Sequence, residues 1–307
     1  MNFLRRLCFF ISRTSVFEIN TPIFRTARIF HEGSLARTGR RGYNDRDITT
    51  DGGRGMQTIT SVKNPLIKSL KALSRRQERE NAGRILVEGE VMIREALKCG
   101  LVLKDVLCVE RKADFAAGLS SEAILVPEEV MQAVCDTRTP QGVCASFQAP
   151  APRKAEELPN PVVALDGVQD PGNAGTIWRT ADAAGFGGLL LGANCADPYS
   201  PKVQRAAMGS GFRLPAIPAD PLCEALAFLR ARGWTVVASA LDGADFYQRP
   251  EVGERFVLVI GSEAHGISDA VRAQADALVK LPMRGRAESL NAAVAASIMM
   301  YEMMRER

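Results

Sequence analysis

The chain has 307 residues, 46% of them hydrophobic and 24% charged, which is enough apolar material for one full core and, at this length, for two. No apolar run reaches the roughly 18 residues of a membrane span, the seven cysteines form no CxxC pair, and His31 and His265 are the only histidines, so a membrane protein, a zinc site and a disulfide framework are left without support. The net charge of +4 is uneven: residues 1–55 hold ten Arg against five acids, residues 56–150 thirteen bases against twelve acids, and residues 151–307 sixteen against eighteen.

Residues 1–55 show no sustained periodicity and carry no acid before Glu18. Two readings compete. One is a transit-like peptide, Arg-rich and acid-poor, which would direct the chain to the mitochondrial matrix. The other is a mis-assigned start, with Met56 the real one, because "GGRG" before it is what a purine-rich ribosome-binding sequence gives when translated in frame. The second is preferred, so 1–55 is expected to be a disordered extension and the chain cytoplasmic.

Residues 59–84 carry seven bases (Lys63, Lys68, Lys71, Arg75, Arg76, Arg79, Arg84) and two acids, Glu78 and Glu80. Such a stripe is either a solvated helix face or a track for nucleic-acid phosphates, with Lys68, Lys71, Arg75 and Arg76 as the candidate contacts. After it the pattern predicts a strand at 84–89, an amphipathic helix at 90–100, a strand at 105–110, a helix at 127–136 opened by Pro127, and a strand at 142–147. That is a small α/β domain, 56–147. "QAPAPRKAEELPNP" (148–161) has four prolines and reads as a linker.

From 162 to the end, strands are predicted at 162–166, 187–192, 234–240, 256–261 and 277–281, with helices at about 174–184, 202–209, 221–232 and 289–304. Apolar strands separated by helices predict a mostly parallel sheet covered on both faces. In such sheets ligands bind beyond the carboxyl ends of the strands, which selects the loops after 166, 240, 261 and 281. "DGVQDPGNAG" is not the GxGxxG turn of dinucleotide oxidoreductases, and no Walker A motif is present.

Three stretches carry the specificity. "DPGNAGTIWRTADAAGF" sets Asn173 six residues before Arg179; "VLVIGSEAHGIS" has the form GxExxG; and "VKLPMRGRAESLNAAVAASIMMYE" joins a strand, a Leu-Pro-Met turn and a Ser-Leu-Asn helix start. In this order they resemble the three motifs of the SpoU (TrmH) family of RNA ribose 2′-O-methyltransferases, in the SPOUT superfamily. "ITSVKNPLIKSLKAL", "ILVEGEVMIREAL" and "TPQGVCA" resemble the family's ribosomal-protein-like substrate-binding domain. The resemblance runs from about residue 57 to the end.

It implies S-adenosylmethionine as methyl donor, RNA (ribosomal RNA first) as acceptor, a trefoil knot in the C-terminal α/β domain, and a homodimer with composite active sites, with neither metal nor membrane. Carried over by position, it assigns catalysis to Asn173, Arg179, Glu263, Ser289 and Asn291, and cofactor binding to the backbone around Ala240, Gly261, Leu281 and Leu290. Plainer roles compete: Asn173 as the N-cap of a helix starting at Ala174, Ser289 as the N-cap of the last helix, Glu263 as a loop acceptor that holds Asn173. A guanidinium stays protonated, so Arg179 suits a phosphate clamp and alkoxide stabiliser better than a base. His265 is not required by the motif. The alternative functions are a non-catalytic RNA-binding or ribosome-assembly protein on the same fold, and a tRNA 2′-O-methyltransferase.

Overall fold

In chain order, the computed structural model, which describes residues 48–50, 56–135, 137–151 and 153–305, builds a first mixed sheet and then a second, parallel one. The first layer contains β1 (Ile48–Thr50), β2 (Gln57–Ile59), α1 (Pro65–Ala72), α2 (Arg76–Ala82), β3 (Arg84–Glu88), α3 (Glu90–Lys98), β4 (Leu103–Cys108), α4 (Ala113–Ala117), β5 (Ile124–Leu125), α5 (Glu128–Cys135) and β6 (Val143–Gln148). Its strands are ordered β1-β2-β5-β4-β6-β3. The pleat sends Ile85 and Val87 to the α3 and α4 side, where they meet Ile93 and Ala116, while Leu107 and Cys144 face Ile67, Leu70 and Met131 of α1 and α5. One expectation is corrected here. Ile48–Thr50, inside the segment expected to be disordered, pairs antiparallel with β2 as an edge strand; the rest of 1–55 lies outside the described residues.

The helix α1 was not predicted as a helix from periodicity, yet its signals are local. Asn64 caps it, accepting from Leu66 N at 2.9 Å, and Pro65 occupies the first turn, where a missing N–H costs nothing.

The second layer contains β7 (Val162–Asp166), α6 (Pro171–Ala184), β8 (Gly188–Leu191), α7 (Pro201–Ala207), α8 (Ser210–Arg213), β9 (Ala216–Pro218), α9 (Leu222–Arg230), β10 (Thr235–Asp245), β11 (Phe256–Gly261), α10 (Asp269–Arg272), β12 (Ala277–Lys280) and α11 (Ala292–Arg305). The order is β12-β10-β11-β7-β8-β9 and every pair is parallel. Both faces are covered. Val163 and Leu165 of β7 pack with Ile177, Trp178 and Met299 under α6 and α11, whereas Val162 and Ala164 pack with Leu226 and Val271 under α9 and α10.

Chain connections reverse at β7, which has β8 on one side and β11 on the other, so a crevice opens at the carboxyl ends of β7 and β11. At the same end β10 is interrupted. Ser239 and Ala244 both pair with Val279, so residues 240–243 loop out beside β12. The linker end is also engaged: Leu158 is buried against β8, and a Cβ on Gly187 would fall 1.9 Å from the Pro159 carbonyl oxygen. The described residues form a single compact unit. No helix among the described residues is long and apolar enough to cross a membrane.

Candidate active site

At the start of α6, Asp170 is the N-cap and accepts from Asn173 N at 2.7 Å, with Pro171 as the first helical residue. The helix thus begins three residues before the expected Ala174, and Asn173 is not its cap. With its own N–H satisfied by Asp170, the Asn173 side chain is free for other partners. Its Nδ2 donates to Glu263 Oε1, and its Oδ1 accepts from Asn291 Nδ2 at 3.0 Å. The orientation of the amide follows from chemistry, because a carboxylate can only accept.

Asn291 is in turn the cap of α11: its Oδ1 accepts from Ala293 N at 2.9 Å and Val294 N at 3.2 Å. Ser289 is therefore not that cap. It lies exposed, two residues upstream, in the irregular segment between β12 and α11. One residue from each of the three sequence stretches, 173, 263 and 291, is thus joined in a single hydrogen-bonded line.

Glu263 is presented by a tight loop. Ser262 and Gly266 exchange backbone hydrogen bonds of 3.0 and 2.9 Å, His265 N donates to Ser262 Oγ at 3.1 Å, and a Cβ on Gly261 would lie 2.2 Å from the Gly266 carbonyl carbon. Gly266 sits at φ +68°, which explains why this loop has glycine at both ends. The His265 imidazole is exposed and has no hydrogen-bond partner among the described residues.

The line does not include Arg179. It stands on the exposed ridge of α6 with Gly172, Thr176 and Ala183, and has no ion-pair or hydrogen-bond partner among the described residues. Six residues separate it from Asn173, about 9 Å along a helix axis. On the flank that carries Asn173, Thr180 Oγ1 meets Ser297 Oγ at 3.0 Å, so α6 and α11 run side by side from the Asn173 and Asn291 ends onward.

Of the four positions assigned to cofactor binding, Ala240, Gly261 and Leu281 lie where β10, β11 and β12 leave their parallel pairing, and Leu290 precedes α11. Ala240 and Leu281 are buried, Gly261 is half-buried, and Leu290 is 39% exposed. Between Leu281 and Asn291, residues 282–290 make no hydrogen bond to other described residues, so their main-chain donors and acceptors are uncommitted. Arg284 and Arg286 stand exposed in this segment without an ion pair among the described residues, two cations that the sequence motifs do not single out. Asp170 was missed as well, although the pair Asp-Pro before a helix is a recognisable start signal.

The basic stripe divides. Lys68, Lys71, Arg75 and Arg76 are exposed, the last two in ion pairs with Glu78 at 3.3 Å and Glu80 at 2.8 Å. Arg79 and Arg84 are withdrawn into structure, paired with Asp197 and Asp105, and burial lowers the pKa of both guanidinium groups.

Residues 160–301 match the SpoU rRNA Methylase family, and residues 64–145 match the MRM3-like substrate binding domain. The 23S rRNA (guanosine(2553)-2′-O)-methyltransferase RlmP of Bacillus subtilis (strain 168) is 36% identical over 251 residues, 81% of this chain and 99% of the relative. Among solved structures, the AdoMet-bound rRNA methyltransferase from Sinorhizobium meliloti superposes with a TM-score of 0.74 at 33% identity, over 82% of this chain and 98% of that one. The SpoU methyltransferase AviRb from Streptomyces viridochromogenes, in complex with AdoMet, gives 0.71 at 30% identity over 80% and 98%. Near-complete coverage of relatives at this identity, with the three motif residues joined in space, means that the chain belongs to the SpoU family of RNA methyltransferases.

Proposed function

We propose that the chain transfers the methyl group of S-adenosylmethionine to the 2′-hydroxyl of a ribose in RNA, with ribosomal RNA as its substrate. The observation that carries this reading is the line from Glu263 through Asn173 to Asn291, with the uncommitted Arg179 on the same helix as Asn173.

The cofactor end suits the donor molecule. Ala240, Leu281 and Leu290 offer apolar contact to a purine face, and the uncommitted N–H and C=O groups of 282–290 offer partners to its edge. S-adenosylmethionine supplies an electrophilic methyl on a sulfonium. Arg179 clamps the target phosphate and stabilises the developing 2′-alkoxide through its planar guanidinium donors. When bound, the donor would give its methyl to the 2′-oxygen with loss of the C–S bond, the hydroxyl proton passing to water or a neighbouring group. Asn173, fixed between Glu263 and Asn291, orients the reacting ribose, and Ser289 contributes a hydroxyl beside it.

A homodimer and a knotted path belong to the same proposal. Val294 and Tyr301, two turns apart on one side of α11, are 48% and 54% exposed, and Leu290 just before the helix is 39% exposed, an apolar surface suited to a second copy of the chain. The chain crosses from the edge strand β12 past β10 and β11 to reach α6, as a trefoil requires. We also assign the chain to the cytoplasm, on the regular pattern beginning at Met56; import of a reporter fused to residues 1–55 into mitochondria would overturn that assignment.

The test of the function is chemical. A ribose 2′-O-methyl group blocks alkaline cleavage of the following phosphodiester, so RNA treated with the protein and cofactor should gain one alkali-resistant position. Label incorporated only into alkali-sensitive nucleotides would contradict the reading.

A further inference from the structure

Arg79 belongs by sequence to the basic stripe and by structure to a joint. Its side chain is 5% exposed, its Nη1 donates to the carbonyls of Leu73 at 2.7 Å and Ser74 at 2.9 Å, and its Nη2 pairs with Asp197 in the second layer. Asp197 Oδ1 accepts from Tyr199 N at 3.0 Å, and its carbonyl accepts from Ser200 N at 3.1 Å. Ser200 caps α7, and α7 lies so close to α6 that a Cβ on Gly175 would sit 2.4 Å from the Ala206 Cβ. Asn173 and Arg179 stand on that helix.

A second ionic link ends on α6 directly. Arg213 donates to Glu95 of α3 at 2.9 Å and, through Nη2 and Nε, to Asp182 of α6 at 2.7 and 3.0 Å. Near these links, Tyr199 and Phe212 pack against the core of the first sheet. The exposed cations Lys68, Lys71, Arg75 and Arg76 and the catalytic helix are therefore parts of one body, although the segment 148–161 between the layers is rich in proline. A free tether of that length would let its ends wander over distances on the order of 20 Å.

We infer that Arg79 and Arg213 are positioning residues, which hold the basic α1–α2 surface at a fixed distance from Arg179 so that the nucleotide to be methylated is chosen by its reach from that surface. The inference rests on the RNA methyltransferase reading. RNA phosphates bound at Lys68, Lys71, Arg75 and Arg76 set the register of the strand, and the two joints carry that register to the reacting ribose. Neither arginine touches RNA or cofactor in this scheme.

The experiment uses the full chain with Arg79→Gln, Arg79→Lys and Arg213→Gln. Three readings are taken: calorimetric S-adenosylmethionine affinity, kcat and KM on total RNA from cells lacking the gene, and a map of the methylated positions. Cofactor affinity and kcat at saturating RNA should hold. For both Gln variants KM should rise and kcat/KM fall with it, because the basic surface and Arg179 no longer engage one strand together, and methyl groups should spread to neighbouring nucleotides. Arg79→Lys keeps the charge but not the planar fork, and should recover part of the loss. If Arg79→Gln fails to fold, Arg213→Gln decides, since its side chain is 40% exposed. Unchanged kcat/KM and map, or a loss confined to cofactor affinity or kcat, would overturn the inference. A wild-type chain that transfers no methyl to ribose would remove the functional reading itself, and the positioning role with it.

Discussion

Arg179 and Asn173 share a helix and differ in their contacts: one is exposed without a partner among the described residues, the other is held by three neighbours. Arg179→Lys keeps a charge but loses the planar two-donor geometry. Its single-turnover methyl transfer should fall about 10²- to 10³-fold, as for loss of one preorganised donor at a developing anion. Calorimetry should find S-adenosylmethionine binding intact; a variant with wild-type transfer, or one that loses cofactor affinity instead, would refute the role. Asn173→Ala should fail in the same step without loss of the helix cap. That cost belongs to Asp170→Ala, at about 1 kcal/mol in thermal or denaturant unfolding. The three residues that the structure joins, Asn173, Glu263 and Asn291, were legible in the motifs. Their contacts were not, because the cap of α6 depends on a start three residues earlier, and the cap of α11 on Asn291 rather than Ser289.

At the scale of elements, the strands β7 and β11 were readable residue for residue, since a strand buried on both faces is an unbroken apolar run bounded by turn residues. Short elements escaped. β9 has three residues and ends at Pro218, and β5 has two, too few to show a period. α1 and α2 were seen as charge rather than as helix, and the charge itself misled in part, since burial assigns Arg79 and Arg84 to structure. The exposed four carry the prediction. Replacing Lys68, Lys71, Arg75 and Arg76 with Gln should flatten the log–log salt dependence of RNA binding by about 0.7 to 0.9 per lost phosphate contact. Filter binding across a salt series measures it; an unaltered slope would reduce these residues to a solvated face. A chain starting at Met56 loses only the edge strand β1 among the described elements. It should fold and methylate like the full chain, as thermal unfolding and a transfer assay would report.

For the whole molecule, Glu95 pairs both with Lys98 on its own helix and with Arg213 of the second layer, and acid should weaken that pairing. The hydrogen bond from Lys98, with Arg213 nearby, holds the Glu95 carboxyl below its ordinary value of 4.5. A carboxylate with a depressed folded pKa contributes stability above the unfolded value and loses it as pH falls through the folded one. Between about pH 5 and pH 3 the wild type should thus lose thermal stability more steeply than Glu95→Gln; parallel curves would show that the link contributes nothing. The proposed knot and dimer come from the family resemblance, because both depend on where chain segments pass or meet rather than on local pattern. The central claim, ribose methylation of RNA, is tested most directly by transfer of labelled methyl from S-adenosylmethionine to separated ribosomal and transfer RNA, followed by digestion to nucleosides. The account predicts label in a 2′-O-methylnucleoside from ribosomal RNA, and label in a base, in transfer RNA alone, or in neither RNA would contradict it.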